Sequence, residues 1–257
     1  MGGDEEPLIA MRGIGKRFGG VTALEDVDLD VRAGEVLAIV GDNGAGKSTL
    51  IKILTGVYRP SAGSMTMDGE PLVMNSHSDA ITRGIDAVYQ SLALADHLTP
   101  AANLFLGSEL TTRVLGVPLL DNKRMREEAE RVLAERLGVR LRSMDVPTES
   151  LSGGQRQAVA IARAVYHSDL KVLVMDEPTA ALGPQETART LKLIAAVREQ
   201  GIAVIVISHS LDDVFAVSDR IQVMRRGRNA GLVNTRETDV TSVLAMIVGA
   251  TDADEAA

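Results

Sequence analysis

The stretch from Val36 to Thr49, VLAIVGDNGAGKST, decides the fold of this chain. Its first five residues form a short, continuous apolar run, the pattern of a strand that is buried on both faces of a parallel sheet. The run leads directly into a glycine-rich loop, Gly41 to Thr49. Strand, glycine loop and helix in this order predict a phosphate-binding loop, because the glycines let successive backbone N–H groups point at phosphate oxygens. A glycine turn with a lysine by chance is the alternative, and the flanking elements disfavour it.

The loop carries the residue types that hold a nucleoside triphosphate and its metal ion. Lys47 is predicted to reach the β- and γ-phosphates, and the Ser48 hydroxyl is predicted to bind Mg²⁺. A nucleoside triphosphate and Mg²⁺ are therefore the predicted ligands. The predicted nucleotide-binding residues of the loop are Gly41, Asp42, Asn43, Gly44, Ala45, Gly46, Lys47, Ser48 and Thr49.

A second buried-strand pattern, Val172 to Met175, ends in two adjacent acids, Asp176 and Glu177. Ligands bind at the carboxyl ends of strands in open parallel sheets. Asp176 suits the Mg²⁺ shell, and Glu177 is placed to accept a proton from an attacking water, a role worth roughly 10²–10⁴ in rate. A solvated acidic strand end is the alternative, but Pro178 and Thr179 predict a tight turn that favours the functional interpretation.

A third motif is a small-residue turn, Leu151-Ser152-Gly153-Gly154-Gln155, which opens a helix. A helix that begins in small residues adds a second set of backbone N–H donors for phosphate. One chain then carries two half-sites. The predicted nucleotide-binding residues of the second half-site are Ser152, Gly153, Gly154 and Gln155.

Over nearly the whole chain, the order of these motifs resembles that of an ABC-transporter ATPase. The resemblance adds Gln90, which is implied to contact Mg²⁺ or the lytic water and to sense a membrane partner. It also adds His209, implied to hold the γ-phosphate, and Phe18, implied to stack on adenine. Taken alone, each of these three has an ordinary explanation, as a surface residue, a polar residue or a core residue. Their implied roles therefore rest on the shared order of the motifs. The motifs in that order are the phosphate loop, Gln90 after the strand-like residues 84–89, Leu151–Gln155, Asp176-Glu177, and His209 after the strand-like residues 202–207.

The chain more closely resembles the ATP-binding subunits of bacterial monosaccharide importers of the ribose, xylose and fructose type. Many of those carry two ATPase halves, whereas each motif occurs once here, so the resemblance is to the single-domain members. One departure is Gly183, followed by Pro184, where many ABC ATPases have an aspartate. The matching stretches are Lys16–Leu24, Val88–Gln90, Asn103–Gly107 and Glu177–Gly183.

This resemblance implies several partners. Two copies would form a head-to-tail homodimer in which Leu151–Gln155 of one chain covers ATP on the other. Membrane permease subunits and a substrate-binding protein are implied, with the permease received near Ser91 to Gly116. The chain would then lie peripherally on the cytoplasmic face of the cell membrane. Nothing in these residues selects one sugar over another.

The expected fold class is α/β, a P-loop NTPase core whose parallel sheet is flanked by helices, with an N-terminal antiparallel β part and an inserted helical subdomain. The apolar spacing after Asp121 predicts a helix that ends at Gly138, and the last strand of the parallel core is expected to end at Ile207. The expected domains are a disordered N-terminus, 1–7; a single ATPase domain, 8–250, with a nucleotide core at 8–90 and 167–250 and a helical subdomain at 91–166; and an acidic tail, 251–257.

Composition agrees with a cytoplasmic globular protein. The 257 residues are 45% hydrophobic but only 2% aromatic, so the 10 methionines are expected to help fill the core. There is no cysteine, which excludes disulfides and thiolate metal sites. The net charge of −8 argues against a nucleic-acid partner. We expect no secretory signal and no membrane span, because every apolar run is shorter than the roughly 20 residues needed.

Two other classes of function are open to a chain with these motifs. A soluble ABC-type ATPase in cofactor assembly or DNA repair is one alternative, although the roughly hundred residues between Thr49 and Leu151 lack the sustained heptads of a coiled coil. A non-hydrolysing interaction module is the other. The presence of both Glu177 and His209 disfavours it.

Overall fold

The computed structural model describes residues 6–114, 117–167 and 169–250. The expectations for residues 1–5, 115–116 and 251–257 lie outside these ranges. The strands are β1 Ile9–Phe18, β2 Val21–Val31, β3 Val36–Val40, β4 Ala62–Met67, β5 Glu70–Pro71, β6 Ile85–Val88, β7 Thr111–Val114, β8 Val117–Leu120, β9 Val172–Asp176, β10 Ala203–Ile207, β11 Arg220–Arg225 and β12 Arg228–Asn234. The helices are α1 Lys47–Leu54, α2 His77–Thr82, α3 Pro100–Leu104, α4 Asn122–Arg131, α5 Gly153–His167, α6 Pro184–Arg198, α7 Leu211–Val217 and α8 Val240–Val248.

The central sheet has the strand order β12-β11-β3-β10-β9-β6, and all strands but β12 run parallel. Its middle strands are buried on both faces, because side chains alternate between two cores. Val172 and Val174 of β9 pack on one side, while Leu173 and Met175 pack on the other. The continuous apolar runs of the sequence therefore predicted these strands correctly.

A second, antiparallel sheet has the order β2-β1-β4-β5 and covers one core together with α1. The turn between β4 and β5 needs two residues with positive φ, and Asp68 (52°) and Gly69 (78°) supply them. The expected N-terminal antiparallel part of the fold is thus present.

The other core lies among α3, α4, α5 and α6. The Asp121 side chain accepts the backbone N–H of Arg124 at 3.0 Å and caps α4. The helix continues through a π-helical turn, Val132–Arg136, and Gly138 follows with a φ of 65°. The predicted apolar positions are all buried: Met125, Ala129, Val132, Leu133 and Leu137.

Two parts of the fold differ from expectation. The parallel core does not close at Ile207, because β11 adds a further parallel strand beside β3. The strand was not predicted because it contains the polar residues Arg220 and Gln222, which are nevertheless buried. Arg220 forms a bidentate ion pair with Glu35. The helical region also contains the short β7–β8 hairpin, which the sequence reading did not predict.

Within the described residues, no helix is long and apolar enough to cross a membrane. The methionines do fill the core. Those buried are Met11, Met65, Met67, Met74, Met125, Met144, Met175 and Met224.

Candidate active site

The ends of four parallel strands meet at one edge of the central sheet. Ile207 pairs with Ile39 and with Asp176, and Val88 pairs with Met175. The chain leaves each strand within two residues of these pairs, so the predicted groups emerge side by side. The residues that follow the four strand ends are Gly41, Gln90, Glu177 and His209.

The glycine loop has a backbone that only glycine accommodates. Gly41 has a φ of 148°, and a Cβ there would lie 2.1 Å from the carbonyl oxygen of Met224. Gly46 has a φ of 100°, and its Cβ would lie 2.7 Å from Leu24 Cδ2. The loop is therefore a close-fitting backbone cradle that opens into α1.

The turn between β11 and β12, beyond the last predicted strand, supports the glycine loop. The Ala45 N–H donates to the Asp42 carbonyl at 3.1 Å within the loop. The N–H of Gly227, in the β11–β12 turn, donates to the Ala45 carbonyl at 3.0 Å. A tertiary contact of this kind leaves no local signal in the sequence.

The Lys47 side chain folds back over the loop. Its Nζ donates to the Gly41 carbonyl at 2.6 Å and to the Asp42 carbonyl at 3.1 Å, and the residue is only 6% exposed. Burial lowers the pKa of Lys47, while the negative charges of Glu177, Asp42 and Asp176 oppose that change. The Lys47 ammonium is therefore a positive charge held at the glycine loop, which suits the binding of phosphate.

The Glu177 side chain lies next to His209 at the carboxyl-terminal edge of the central sheet. Glu177 Oε1 lies 3.2 Å from His209 Nε2, at ion-pair distance but without hydrogen-bond alignment. That oxygen is buried and has no hydrogen-bond partner among the described residues. Burial raises the pKa of Glu177, and the charge of His209 partly offsets the rise.

The backbone of Glu177 is in an unusual conformation for a side chain of its size. Its φ is 52°, a region that costs about 1–3 kcal/mol for most residues and often marks functional sites. The Glu177 N–H donates to the Ile207 carbonyl at 2.9 Å, which holds the turn. In the same turn the Thr179 hydroxyl donates to Asp213 at 2.7 Å.

Asp176 and Ser48 offer oxygens suited to a divalent cation. Burial raises the pKa of Asp176, opposed by the charges of Lys47, Lys52 and His209. No hydrogen bond holds the Asp176 carboxylate in the described chain, and the Ser48 hydroxyl is exposed in the first turn of α1. No cluster of three His, Cys, Asp or Glu residues that could hold a metal occurs in the described ranges. The oxygens of Ser48 and Asp176 are of the kind that magnesium takes as ligands, together with water and phosphate oxygens.

Gln90 is exposed just beyond β6. Two non-glycine residues with positive φ follow it, Leu92 (54°) and Ala93 (48°), and they turn the chain sharply. Arg163 of α5 donates to the Ala93 carbonyl at 2.9 Å. The segment after Gln90 is thus hydrogen-bonded to α5, the helix that begins within Leu151–Gln155.

Phe18 ends β1 and is 42% exposed. Its ring lies 5.2 Å from the ring of Tyr58, edge to face, and Lys16 Nζ lies 5.1 Å from the Phe18 ring. These contacts place Phe18 against the residues after α1 rather than against the glycine loop itself. Tyr58 was missed, because a single tyrosine before the Arg59-Pro60 turn gives no functional signal.

The turn Leu151–Gln155 lies on a different surface of the chain. The Ser152 N–H donates to Gln155 Oε1 at 3.1 Å, which caps α5. A Cβ on Gly153 would lie 2.5 Å from Leu182 Cδ2, next to Gly183. The main packing partners of α5 are α3, α6, the π-helical turn Val132–Arg136 and β6, and α1 is not among them. The two predicted half-sites are therefore apart within one described chain.

Comparison with known proteins supports these assignments of fold. The family model described as ABC transporter matches residues 24–180. The fructose import ATP-binding protein FrcA of Rhizobium meliloti is 42% identical over 249 residues, which is 96% of this chain and 95% of the relative. The ribose import ATP-binding protein RbsA 1 of Burkholderia thailandensis is 45% identical over 95% of this chain, which spans only 47% of that relative. The dimeric post-hydrolysis structure of the ATP-binding cassette MJ0796 with ADP and Pi has a TM-score of 0.71 and 25% identity, covering 89% of this chain and 99% of the cassette.

Proposed function

Because this chain belongs to the ABC transporter family, we propose that it is the ATP-hydrolysing subunit that powers import of a monosaccharide through a membrane permease. The observation that carries the proposal is the meeting of Lys47, Asp176, Glu177 and His209 at one sheet edge. The chain is similar to a fructose import ATP-binding protein over nearly its whole length, which supports a monosaccharide as the transported solute. The relatives reported above favour this function over a role in cofactor assembly or DNA repair.

The residues of the first half-site would bind ATP. Backbone N–H groups of Gly41–Thr49 would surround the phosphates, and Lys47 would exchange its carbonyl partners for phosphate oxygens. Ser48, Asp176 and Gln90 would hold Mg²⁺, which when bound neutralises charge on the phosphates. Phe18, which packs against Tyr58, would stack its exposed ring on adenine.

Glu177 would act as general base. Its raised pKa makes the carboxylate a better proton acceptor than an ordinary glutamate, and its buried, unpartnered oxygen is free to accept a proton from water. His209, whose Nε2 lies 3.2 Å from Glu177 Oε1, would orient this carboxylate and would contact the γ-phosphate. The strained turn at Glu177 would hold its carboxylate relative to the phosphate loop.

A second copy would complete the site. Ser152, Gly153, Gly154 and Gln155 of one chain would cover ATP held by the other, because within a chain the two half-sites are apart. The dimeric MJ0796 cassette supports such an arrangement. Gly183 follows Leu182, which lies against Gly153, so it would be at the edge of the dimer interface, where glycine offers no side chain to cross it.

The proposed partners follow from the same function. The permease would dock on residues 91–116, and a substrate-binding protein would deliver the sugar on the far side of the membrane. The chain would lie peripherally on the cytoplasmic face. We assign residues 8–90 and 167–250 to the nucleotide core and 91–166 to the helical subdomain, which contains the turn Leu151–Gln155 (the signature turn).

ATPase turnover as a function of protein concentration tests the proposal. A composite site between two copies predicts a specific activity that rises with concentration, and Glu177→Gln abolishes it. Glu199→Gln, an exposed glutamate at the end of α6, is the matched control and should keep full activity. Specific activity that is independent of concentration, or that survives in Glu177→Gln, would count against the proposed mechanism.

A further inference from the structure

A cavity of about 800 Å³ lies beside the signature turn, between residues 137–155 and α6. Four cationic side chains line it: Arg140, Arg142, Arg189 and Lys192. No aspartate or glutamate is among its lining residues. The volume lies within the range of about 300–1,000 Å³ that is typical of small-molecule sites. We refer to this space as the cationic cavity.

The four cations form no ion pair and no side-chain hydrogen bond with the described residues. Their neighbours on α4 behave differently, since Arg126 pairs with Asp145 at 2.7 Å and Arg131 with Glu128 at 2.5 Å. The chain carries a net charge of −8, so acids are in excess elsewhere. All four residues are exposed, so water and salt screen their mutual repulsion and leave their charged groups available to an anion.

The nearest acid on α6 does not neutralise this cluster. Glu186 lies one turn before Arg189, but its side chain packs against Gly153 and Gly154 and does not line the cavity. The remaining walls suit a small organic molecule. Leu193 and Val146 are apolar, and Ser143 adds a hydroxyl group.

The cationic cavity is continuous with the signature turn. Ser152 and Gly154 line it, and the Ser152 hydroxyl is buried without a hydrogen-bond partner among the described residues. A molecule in the cavity therefore touches the turn that caps α5. The cations themselves lie outside the motif, so the role proposed for the motif in ATP binding does not account for them.

We propose that the cationic cavity binds a sugar-sized molecule that carries two phosphate groups. Two phosphate esters carry about three to four negative charges at pH 7, which matches three arginines and one lysine. Guanidinium groups bind phosphate oxygens in pairs, and the apolar walls suit a carbon skeleton. Occupancy alters the signature turn and hence closure of two copies over ATP, a consequence that rests on the proposed function.

Isothermal titration calorimetry on the full chain saturated with ADP and Mg²⁺ tests the site, because nucleotide then occupies the phosphate loop. Fructose 1,6-bisphosphate is the probe, and we expect one site per chain whose affinity falls as salt rises. Fructose 6-phosphate should bind roughly tenfold more weakly or worse, since one phosphate loses charged hydrogen bonds. Absence of saturable binding, or equal affinity for both probes, overturns the proposal.

Two double variants locate the binding. Arg140→Ser/Arg189→Ser should weaken the bisphosphate roughly tenfold or more, whereas Arg113→Ser/Arg236→Ser, which removes exposed arginines elsewhere, should not. Thermal melting checks that both variants fold. Unchanged affinity in the first variant overturns the proposal. This binding is measured without ATP hydrolysis, so a chain that fails as an ATPase can still pass the test.

The phosphate group of a lipid headgroup is the other possible ligand for these cations. Co-sedimentation with phosphatidylglycerol vesicles distinguishes it, and we expect no vesicle binding that depends on Arg140 and Arg189. Vesicle binding that is lost in Arg140→Ser/Arg189→Ser, together with no affinity for the soluble bisphosphate, overturns the proposal in favour of a membrane contact.

Discussion

The side-chain amide of Asn103 donates to the Thr148 hydroxyl at 2.8 Å in a fully buried position. The same amide group contacts the carbonyls of Ala95 and Leu98, and its oxygen accepts the Ala95 N–H at 2.7 Å. Asn103 thus joins the segment after Gln90 to the residues just before the signature turn. A single buried side chain ties together two of the motifs on which the proposed mechanism depends.

Replacing Asn103 by alanine should lower the free energy of unfolding by roughly 2–4 kcal/mol, because it leaves several buried polar groups without partners. Urea unfolding measures the effect. Asn122→Ala removes an exposed asparagine at the start of α4 and should change stability little. Equal stability of the two variants would mean that the network adds nothing to the fold.

Removing Arg220 should destabilise the chain through an uncompensated buried charge. Arg220 Nη2 lies 2.7 Å from Glu35 Oε1, both residues are buried, and breaking such a pair costs about 3–5 kcal/mol. Arg220→Met should show this loss in urea unfolding. Arg228→Met breaks the exposed pair with Glu25 and is expected to cost less than about 1 kcal/mol. A comparable loss in both variants would contradict the argument from burial.

The pH dependence of ATP hydrolysis should show the raised pKa of Glu177. Because burial raises that pKa, Glu177 takes up a proton at a higher pH than an ordinary glutamate near about 4.3, and the base is lost as pH falls. We expect kcat to fall on the acid side with an apparent pKa above that value. Asp176, Lys47 and His209 face the same site, so His209→Gln is measured alongside to separate the histidine. An acid limb at or below the ordinary glutamate value would contradict the account.

Gly154→Ala should separate folding from hydrolysis. A Cβ at this position meets its nearest atoms at 3.8 Å, an ordinary contact, so the melting temperature should hold or rise slightly. Turnover should nevertheless fall roughly tenfold or more, because the backbone must approach phosphate on the other copy. Thermal melting and steady-state ATPase assays check the two halves of this prediction. Full activity in the variant would argue that the turn does not approach ATP.

The elements that sequence patterns predicted are those with local signals. The apolar run Val36–Val40 before the glycine loop and the run before Asp176 each gave a strand, because a strand buried on both faces is apolar throughout. The α4 helix was predicted from its cap at Asp121 and its buried spacing. In each case the residues that determine the structure are neighbours in the chain.

The features that were missed depend on distant contacts. Strand β11 contains buried Arg220 and Gln222, which appear solvent-exposed until Glu35 supplies a partner for the arginine. The edge-to-face pair of Phe18 and Tyr58, and the 3.2 Å approach of Glu177 to His209, arise only when separate strands and turns converge. The roles of Gln90, His209 and Phe18 were inferred from the order of the motifs. Those of the other site residues were inferred from their chemistry and their place in the chain, and all of them stay predictions.

The most direct test of the central claim, that two copies enclose ATP and Glu177 activates the water, is the solution mass of Glu177→Gln with saturating ATP and Mg²⁺. Size-exclusion chromatography with light scattering should give a dimer with ATP and a monomer with ADP, because the variant binds ATP but does not hydrolyse it. Retained nucleotide is assayed in the same fractions. A monomer that carries bound ATP would contradict the account.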